Sequence, residues 1–409
     1  MTDRTAVDER LTEVLRDERG RLTGALVRLL GDWELAEELV QDAAVSAIEH
    51  WPRDGLPANP AAWLMTAARR RAVDVLRRRA RYRERMELLT REATALARPS
   101  PTGGPMHTDE RLPLLFTCCH PALSREAQIA LTLRTVAGLE TPAIAKAFLV
   151  PEATIAQRLV RAKRKIRDAG IPYRVPEAAE LPGRLAEVLR VLYLVFNEGY
   201  LASTGTVAER RQLARDAEWL TSLLVRLMPD EAEAIGLLAL MRLHLARADA
   251  RFGPDGSLVL LRDQDRARWH HPAIAGAVRL LHRAERMHRP GPYQLQAAIV
   301  AAHALAPSTE ETPWEGIVAL YDQLARLEPT PVVLLNRAVA VAERDGPAAG
   351  LEAIEALADR LPRYHLLYAA RAAMLRRLGR DAEAAADDRR ALELTDNPAE
   401  RRLLEERLA

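Results

Sequence analysis

The stretch TVAGLETPAIAKAFLVPEATIAQRLVRAKRKIR, residues 135–167, holds two helical patterns with a short break between them. The first pattern predicts a helix with Thr141 as its N-cap, Pro142 at its first helical position and its end near Leu149. Pro151 opens the second helix. Apolar residues recur at helical spacing in both: Ile144, Ala145, Phe148 and Leu149, then Ile155, Leu159 and Ala162. Two helices joined by a tight turn predict a helix-turn-helix.

The polar face of the second helix is strongly basic. It carries Gln157, Arg158, Arg161, Lys163, Arg164, Lys165 and Arg167. The early part of such a helix enters a DNA major groove, where Arg and Gln side chains hydrogen-bond base edges. The alternative is an ordinary helical hairpin with a solvated basic face, and the pattern alone does not separate the two.

Composition bounds the rest of the chain. A length of 409 residues suggests roughly two to four domains. The net charge is only +2, so the placement of charge matters more than its sum. Basic residues concentrate at 69–85 and 158–167, and acidic residues at 32–42. No apolar run approaches membrane-spanning length and the N-terminus is too polar for a signal peptide, so we expect a soluble, cytoplasmic protein.

The two cysteines, Cys118 and Cys119, are adjacent and are followed by His120. Adjacent cysteines do not build a disulfide framework, which agrees with a reducing compartment. A zinc site would need a fourth ligand and usually Cys-x-x-Cys spacing, so a packed helix end is the favoured interpretation. No metal or cofactor is expected.

The N-terminal part predicts helices over residues 11–30 and 33–48, with Gly31 and Asp32 as the break. The exposed face of the second helix is acidic, with Glu34, Glu37, Glu38 and Asp42. A Pro- and Gly-rich loop, residues 50–60, follows and could contact a ligand. A long helix with a basic side, able to follow phosphates, comes next.

Three patterns in this order resemble the two conserved regions of the extracytoplasmic-function sigma factors of bacterial RNA polymerase: LAEELVQDA (35–43), AWLMTAARRRAVDVLRRR (62–79) and the helix-turn-helix (135–167). The resemblance implies an all-α fold with two small helical modules. Region 2 would occupy residues 1–88 and region 4 residues 108–175. The Pro-, Gly- and Ser-rich residues 89–107 would form a flexible linker.

The resemblance also assigns roles to residues. The acidic helix would dock on the β′ clamp helices of core RNA polymerase through Glu38, Gln41 and Asp42, and region 4 would meet the β flap. The −10 element would be captured and melted by Trp51, Arg53, Asp54, Asn59, Trp63, Arg69, Arg70 and Arg71. The −35 element would be contacted by Glu152, Thr154, Gln157, Arg158, Arg161, Lys163 and Arg164. The sequence departs from the usual family pattern at Ala44, Ile48, Arg70 and Leu149.

The remaining residues, 176–409, also have helical patterns. Segments starting at Asn336 and Ala370 align with an offset of about 34 residues, the period of tetratricopeptide helix pairs. In the second copy, packing and turn positions of that repeat hold Tyr368, Gly379, Ala384 and Ala391. The repeats are predicted near residues 314–409. With FNEGY, LLRDQDRARW, GPYQLQAAI and LNRAVA, this half resembles the tetratricopeptide-like extension of a sigma-factor subgroup, which implies that it modulates sigma activity and contacts the sigma modules.

Two polar groups in this half raise an enzymatic alternative: Asn197, Glu198 and Tyr200, and Arg262, Asp263, Asp265 and Arg266. Helix caps and ion pairs are the favoured interpretation, because no nucleophile motif or phosphate loop accompanies them. We therefore predict a sigma factor that is not an enzyme. The alternatives are a helix-turn-helix regulator that binds duplex DNA without polymerase and senses a ligand, and a helical scaffold.

Overall fold

The computed structural model describes residues 4–90, 109–148, 150–201, 207–253 and 257–408. Over these ranges the chain is helical and contains no β-strand beyond one isolated bridge between Phe252 and Leu258. The predicted all-α fold is therefore confirmed. The chain divides into two compact units, Met1–Val191 and Leu192–Ala409, called here the first and second units.

The first unit contains seven helices among its described residues and the beginning of an eighth. They are α1 (Arg4–Leu30), α2 (Trp33–Asp54), α3 (Pro60–Thr90), α4 (Arg111–Cys118), α5 (Arg125–Thr135), α6 (Thr141–Ala147), α7 (Glu152–Asp168) and α8 (Leu181–Leu201). The break between α1 and α2 falls at the predicted position. Gly31 adopts a φ of 66°, and the Asp32 side chain accepts a hydrogen bond from the Leu35 N–H, which caps α2.

The second helix is longer than predicted. α2 continues past Ile48 and through Pro52 to Asp54, and it ends at Gly55, whose φ is 85°. The expected loop over residues 50–60 is thereby reduced to residues 55–59. Burial of Trp51, with 1% of its surface exposed, holds this last turn in place. The packing of a large aromatic side chain outweighs the hydrogen bond that Pro52 cannot donate.

Two glycines bring α1 into close contact with the module that carries the helix-turn-helix. A Cβ atom on Gly20 would lie 2.9 Å from the Val136 carbonyl oxygen. A Cβ atom on Gly24 would lie 2.6 Å from Tyr173 Oη. The helices of residues 4–90 and those of residues 109–168 therefore pack directly against each other within the first unit. The predicted linker, residues 89–107, lies outside the described residues from position 91 onward.

The second unit is built around α10. Its helices are α9 (Val207–Leu227), α10 (Ala232–Leu245), α11 (His271–Glu285), α12 (Pro292–Leu305), α13 (Trp314–Leu327), α14 (Pro331–Asp345), α15 (Pro347–Glu355), α16 (His365–Arg377), α17 (Asp381–Leu394) and α18 (Pro398–Leu408). α10 contacts α9, α11 and α12 and is buried on almost every side, which explains its apolar sequence LLALM. The sequence analysis named no helix at α9 or α11.

The helix pairs α14/α15 and α16/α17 occupy the two segments that align in sequence. Gly346 and Gly379 end the first helix of each pair with φ values of 100° and 74°. Close helix packing follows from small residues. Gly350 faces Ala342 so tightly that a Cβ atom there would lie 2.3 Å from the Ala342 Cβ, and Ala384 is completely buried at the equivalent place in the second pair.

Candidate nucleic-acid interface

The second helix of the predicted helix-turn-helix is α7, which packs through one apolar face onto α5 and α6. The buried residues of that face are Ile155, Leu159, Ala162 and Ile166. The hydrophobic spacing predicted this face correctly, and it sets the rotation of the helix. As a result, the side chains between the apolar positions point away from the module.

The first helix, α6, begins one residue earlier than predicted. Glu140 is its N-cap, so Thr141 is the first helical residue. Pro142 still fits in the first turn, because N–H groups there have no intrahelical acceptor. The Glu140 carboxylate makes no capping bond, since it instead pairs with Arg19 at 2.8 Å and Arg134 at 3.1 Å. α6 ends at Ala147, and Leu149, its predicted end, lies outside the described residues.

The outward face of α7 holds most of the residues predicted to contact the −35 element. Glu152, Gln157, Arg161 and Arg164 are exposed, and Thr154 and Arg158 are half-buried. Arg164 lies 3.3 Å from Asp168, but both side chains are largely exposed, so this pair restrains Arg164 only weakly. Arg167, which the site prediction omitted, is also exposed, but it lies beside Lys163 on the side of α7 that faces the start of α2.

Lys163 does not share that outward face. Its ammonium group lies 2.8 Å from the Glu37 carboxylate on α2, and the side chains are only 13% and 17% exposed. In this arrangement the ion pair holds Lys163 away from the outward face, and its contact with the −35 element stays a prediction. The Glu37–Lys163 ion pair joins the helices of residues 4–90 to those of residues 109–168. The local sequence pattern of neither helix predicts this pair.

Among the residues predicted to contact the −10 element, Trp51 needs correction. Its side chain lies in the core beneath Trp63, with ring centroids 5.6 Å apart and the rings nearly perpendicular. A buried indole cannot stack on a flipped base, whereas the Trp63 ring is only half-buried and the His50 ring, 6.2 Å from it, belongs to an exposed residue. Asn59 caps α3, since its Oδ1 accepts a hydrogen bond from the Ala62 N–H at 3.0 Å.

The charged residues of this region are divided between solvent and internal partners. Arg53 and Asp54 are exposed at the end of α2, and Arg69 and Arg70 are exposed on α3. Arg71 instead turns back to α2. Its guanidinium lies 3.2 Å from Asp42 and 2.7 Å from Ser46 Oγ.

The acidic helix presents the predicted polymerase-docking residues unequally. Glu38 and Gln41 are exposed, whereas Asp42 is partly engaged by Arg71. Glu37, one residue before Glu38, is the partner of Lys163. The contact between modules thus lies beside the surface predicted to dock on polymerase.

Comparison with known protein families identifies the family to which the chain, with its basic and acidic helix surfaces, belongs. Residues 14–82 match Sigma-70 region 2, and residues 114–166 match Sigma-70, region 4. The chain is an extracytoplasmic-function sigma factor. Sigma factors of this family bind core RNA polymerase and promoter DNA, direct promoter-specific transcription initiation, and are not enzymes.

The sigma factor also has a C-terminal extension, in which residues 184–285 match a family of unknown function (DUF6596). The full chain is 44% identical over 405 residues to an uncharacterized protein of Rhizobium meliloti (strain 1021). The alignment covers 98% of this chain and 94% of the relative. None of the helices in the described ranges is long and apolar enough to span a membrane.

The cysteines of the sigma factor lie in the core of the region 4 module. Cys118 and Cys119 are completely buried. Burial raises the pKa of the Cys119 thiol to about 12 and raises that of Cys118 as well, so both resist forming the thiolate that binds metal. His120 Nδ1 accepts a hydrogen bond from the Ala122 N–H. No group of three metal-binding side chains occurs in the described part of the chain.

Proposed function

We propose that α7 reads the −35 element in the major groove, with Gln157, Arg158 and Arg161 nearest the bases and Arg164 on phosphates. The observation that supports this most directly is the outward face of α7, which presents these side chains together while its apolar face is locked onto α5 and α6. The N-terminal half of the helix is the part that enters a major groove, which places Gln157 and Arg158 closest to base edges.

The −10 element would be held at the end of α2 and along α3. Arg53, Asp54 and the loop over residues 55–59 directly precede α3, on which the half-buried Trp63 ring offers a surface where a base can stack. Arg69 and Arg70, exposed farther along α3, would follow the phosphates of the melted strand. Trp51 supports Trp63 from below and takes no direct part.

Glu38 and Gln41 would dock on the β′ clamp helices, with region 4 on the β flap. The exposed position of both side chains on α2 supports this role. Charge reversal by Glu38→Lys should abolish co-purification with core polymerase, whereas Glu9→Lys, at an exposed acidic site on α1, should leave it intact. Retained binding by the Glu38→Lys variant would contradict the placement.

The packed arrangement of the two modules would be a closed state that opens on the promoter. By their names, the −10 and −35 elements are about 25 base pairs apart, which is roughly 80 Å of duplex. A 2.8 Å contact between Glu37 and Lys163 cannot persist while α3 and α7 engage both elements. Opening would free Lys163 for DNA and uncover the part of α2 beside Glu38.

The test of DNA recognition is reconstituted transcription with core polymerase. The double variant Arg158→Ala and Arg161→Ala should lose promoter-dependent transcripts while keeping its helix content. Arg326→Ala, at an exposed arginine on α13, is the matched control and should transcribe normally. Full activity of the double variant would contradict the assignment of α7.

The second unit would modulate sigma activity from within the cytoplasm, where the polymerase acts. A shortened chain ending at Val191 keeps the bond from Arg184 to the Phe116 carbonyl and the 2.8 Å pair between Glu187 and Arg125. More transcripts from it than from the full chain would mean that the extension restrains initiation, and fewer would mean that it supports initiation. Equal transcription would contradict modulation.

A further inference from the structure

Among the described residues of the second unit, three neighbouring side-chain nitrogen atoms are buried without a hydrogen-bond partner. They are Arg247 Nε, Trp269 Nε1 and His244 Nδ1. Arg247 as a whole is only 8% exposed and Trp269 only 3%. Buried nitrogen atoms of this kind are almost always bonded in folded proteins, and a buried guanidinium is costly to leave unsatisfied. Their grouping therefore needs a physical explanation.

These groups belong to one cluster of arginine and aromatic side chains. The guanidinium carbons of Arg247 and Arg266 lie 5.4 Å and 4.6 Å from the centre of the Trp269 ring. The guanidinium carbon of Arg251 lies 4.4 Å from the centre of the Tyr200 ring, which is itself 4.9 Å from the His244 ring. Tyr200 and Arg266 come from the two polar groups, FNEGY and RDQDRARW, that sigma function leaves unused.

The positive charge of this cluster is poorly compensated. None of its three arginines has a carboxylate within ion-pair distance in the described part of the chain. Arg266 is instead fixed by the carbonyl oxygens of His303 and Ala306, at 2.8 Å and 2.9 Å. Glu310 and Glu400 act on Arg266 and Arg251 only from a distance, and Arg247 feels no carboxylate of comparable effect.

Burial and the positive charges of this cluster also lower the pKa values of two neighbouring histidines. Burial, followed by the charges of Arg247 and Arg251, lowers the pKa of His244 to about 3. Burial, followed by Arg247 and Arg266, lowers the pKa of His303 to about 4. Both rings are neutral at physiological pH, so they can lie beside the arginines without adding charge.

We propose that Arg247, Arg251 and the indole N–H of Trp269 form a binding site for the oxyanion group of a small ligand, of the phosphate or carboxylate class. An oxyanion would accept hydrogen bonds from the unpartnered donors and neutralise the arginines that no carboxylate pairs. The aromatic rings of Tyr200 and Trp269 keep the guanidinium groups oriented by stacking. The residues of this site all belong to the second unit, whereas the proposed promoter and polymerase surfaces belong to the first.

Binding can be measured by calorimetric titration of the full chain with inorganic phosphate and, in a second arm, with citrate, each at constant ionic strength against sodium chloride. We expect saturable binding in at least one arm, and the stronger arm identifies the phosphate or carboxylate class. Arg247→Met should weaken binding at least tenfold. Arg326→Gln, at an exposed arginine in the same unit, should bind as the unaltered chain does.

Stability without ligand gives a second readout. Because Arg247→Met replaces an uncompensated buried charge by an apolar side chain, its unfolding midpoint in anion-free buffer should equal or exceed that of the unaltered chain. If that variant fails to fold, Arg251→Gln, at a less buried position, carries the binding test. Absence of saturable binding in both arms, or unchanged affinity in the folded arginine variants, would overturn the proposal.

Discussion

The closed contact between the sigma modules can be tested by adding a single methyl group. Gly20 and Gly24 lie one helical turn apart on the face of α1 that meets the region 4 module. A Cβ atom at Gly20 would lie 2.9 Å from a backbone oxygen of Val136, and one at Gly24 would lie 2.8 Å from that of Glu110. Backbone atoms cannot swing aside as a flexible side chain can, so alanine at either place must push the modules apart.

The size of the effect follows from the difference between the two states. Alanine stabilises the α1 helix by about 0.5–1 kcal/mol, but it does so in the closed and the open state alike. Overpacking occurs in the closed state alone and costs about 1–3 kcal/mol. The ratio of open to closed molecules should therefore rise by about 5-fold to 140-fold for each substitution.

The assay is energy transfer between dyes on Val73→Cys in α3 and Val160→Cys in α7, both at exposed positions. The native thiols are buried and should label slowly. Gly20→Ala and Gly24→Ala should lower the transfer and tighten promoter binding. Gly183→Ala, which adds a methyl group on α8 with no atom within 4 Å, is the control and should change neither. Unchanged transfer in folded Gly20→Ala and Gly24→Ala variants would refute the steric argument.

Three further predictions concern single interactions. A double-mutant cycle on module closure, with Glu37→Gln and Lys163→Gln, should give a coupling energy of about 1–2 kcal/mol, because both side chains are less than one-fifth exposed. Strict additivity of the two substitutions would show that the ion pair contributes nothing to closure. In urea unfolding, Trp51→Ala should lower the stability of the first unit by about 3–5 kcal/mol, because it empties a core position. Asn59→Ala, which removes only a helix cap, should lower it by about 1 kcal/mol. Similar losses of stability in the two variants would contradict the core position of Trp51. Because His303 has a pKa of about 4 when folded and an ordinary value when unfolded, only the unfolded chain takes up its proton as the pH falls from 7 to 5. Amide exchange of α12 should then show that the free energy of unfolding falls by about 1–2 kcal/mol between pH 7 and pH 5, and His303→Gln should remove this fall. An equally steep pH dependence in that variant would exclude this histidine as the cause.

Much of the fold follows from local sequence patterns. The apolar spacing of α7 set its buried and exposed faces, Gly31 and Asp32 marked the end of one helix and the cap of the next, and the 34-residue offset matched two helix pairs. These features depend on residues a few positions apart, because helix periodicity and capping are properties of neighbouring residues. The family followed from three such patterns occurring in order.

Other features depend on which surfaces meet, and the local pattern is silent about that. Pro52 and Gly55 favour a loop, yet burial of Trp51 extends the helix through them. Lys163 looks like one more DNA-facing cation, but its partner Glu37 is 126 positions away. Arg247 and Arg251 are unremarkable in sequence. Their charges become costly only in the folded chain, which limits their contact with water and, among the described residues, places no carboxylate within ion-pair distance of them. Periodicity is a local property of the chain, whereas desolvation and charge pairing arise only from the packed tertiary structure.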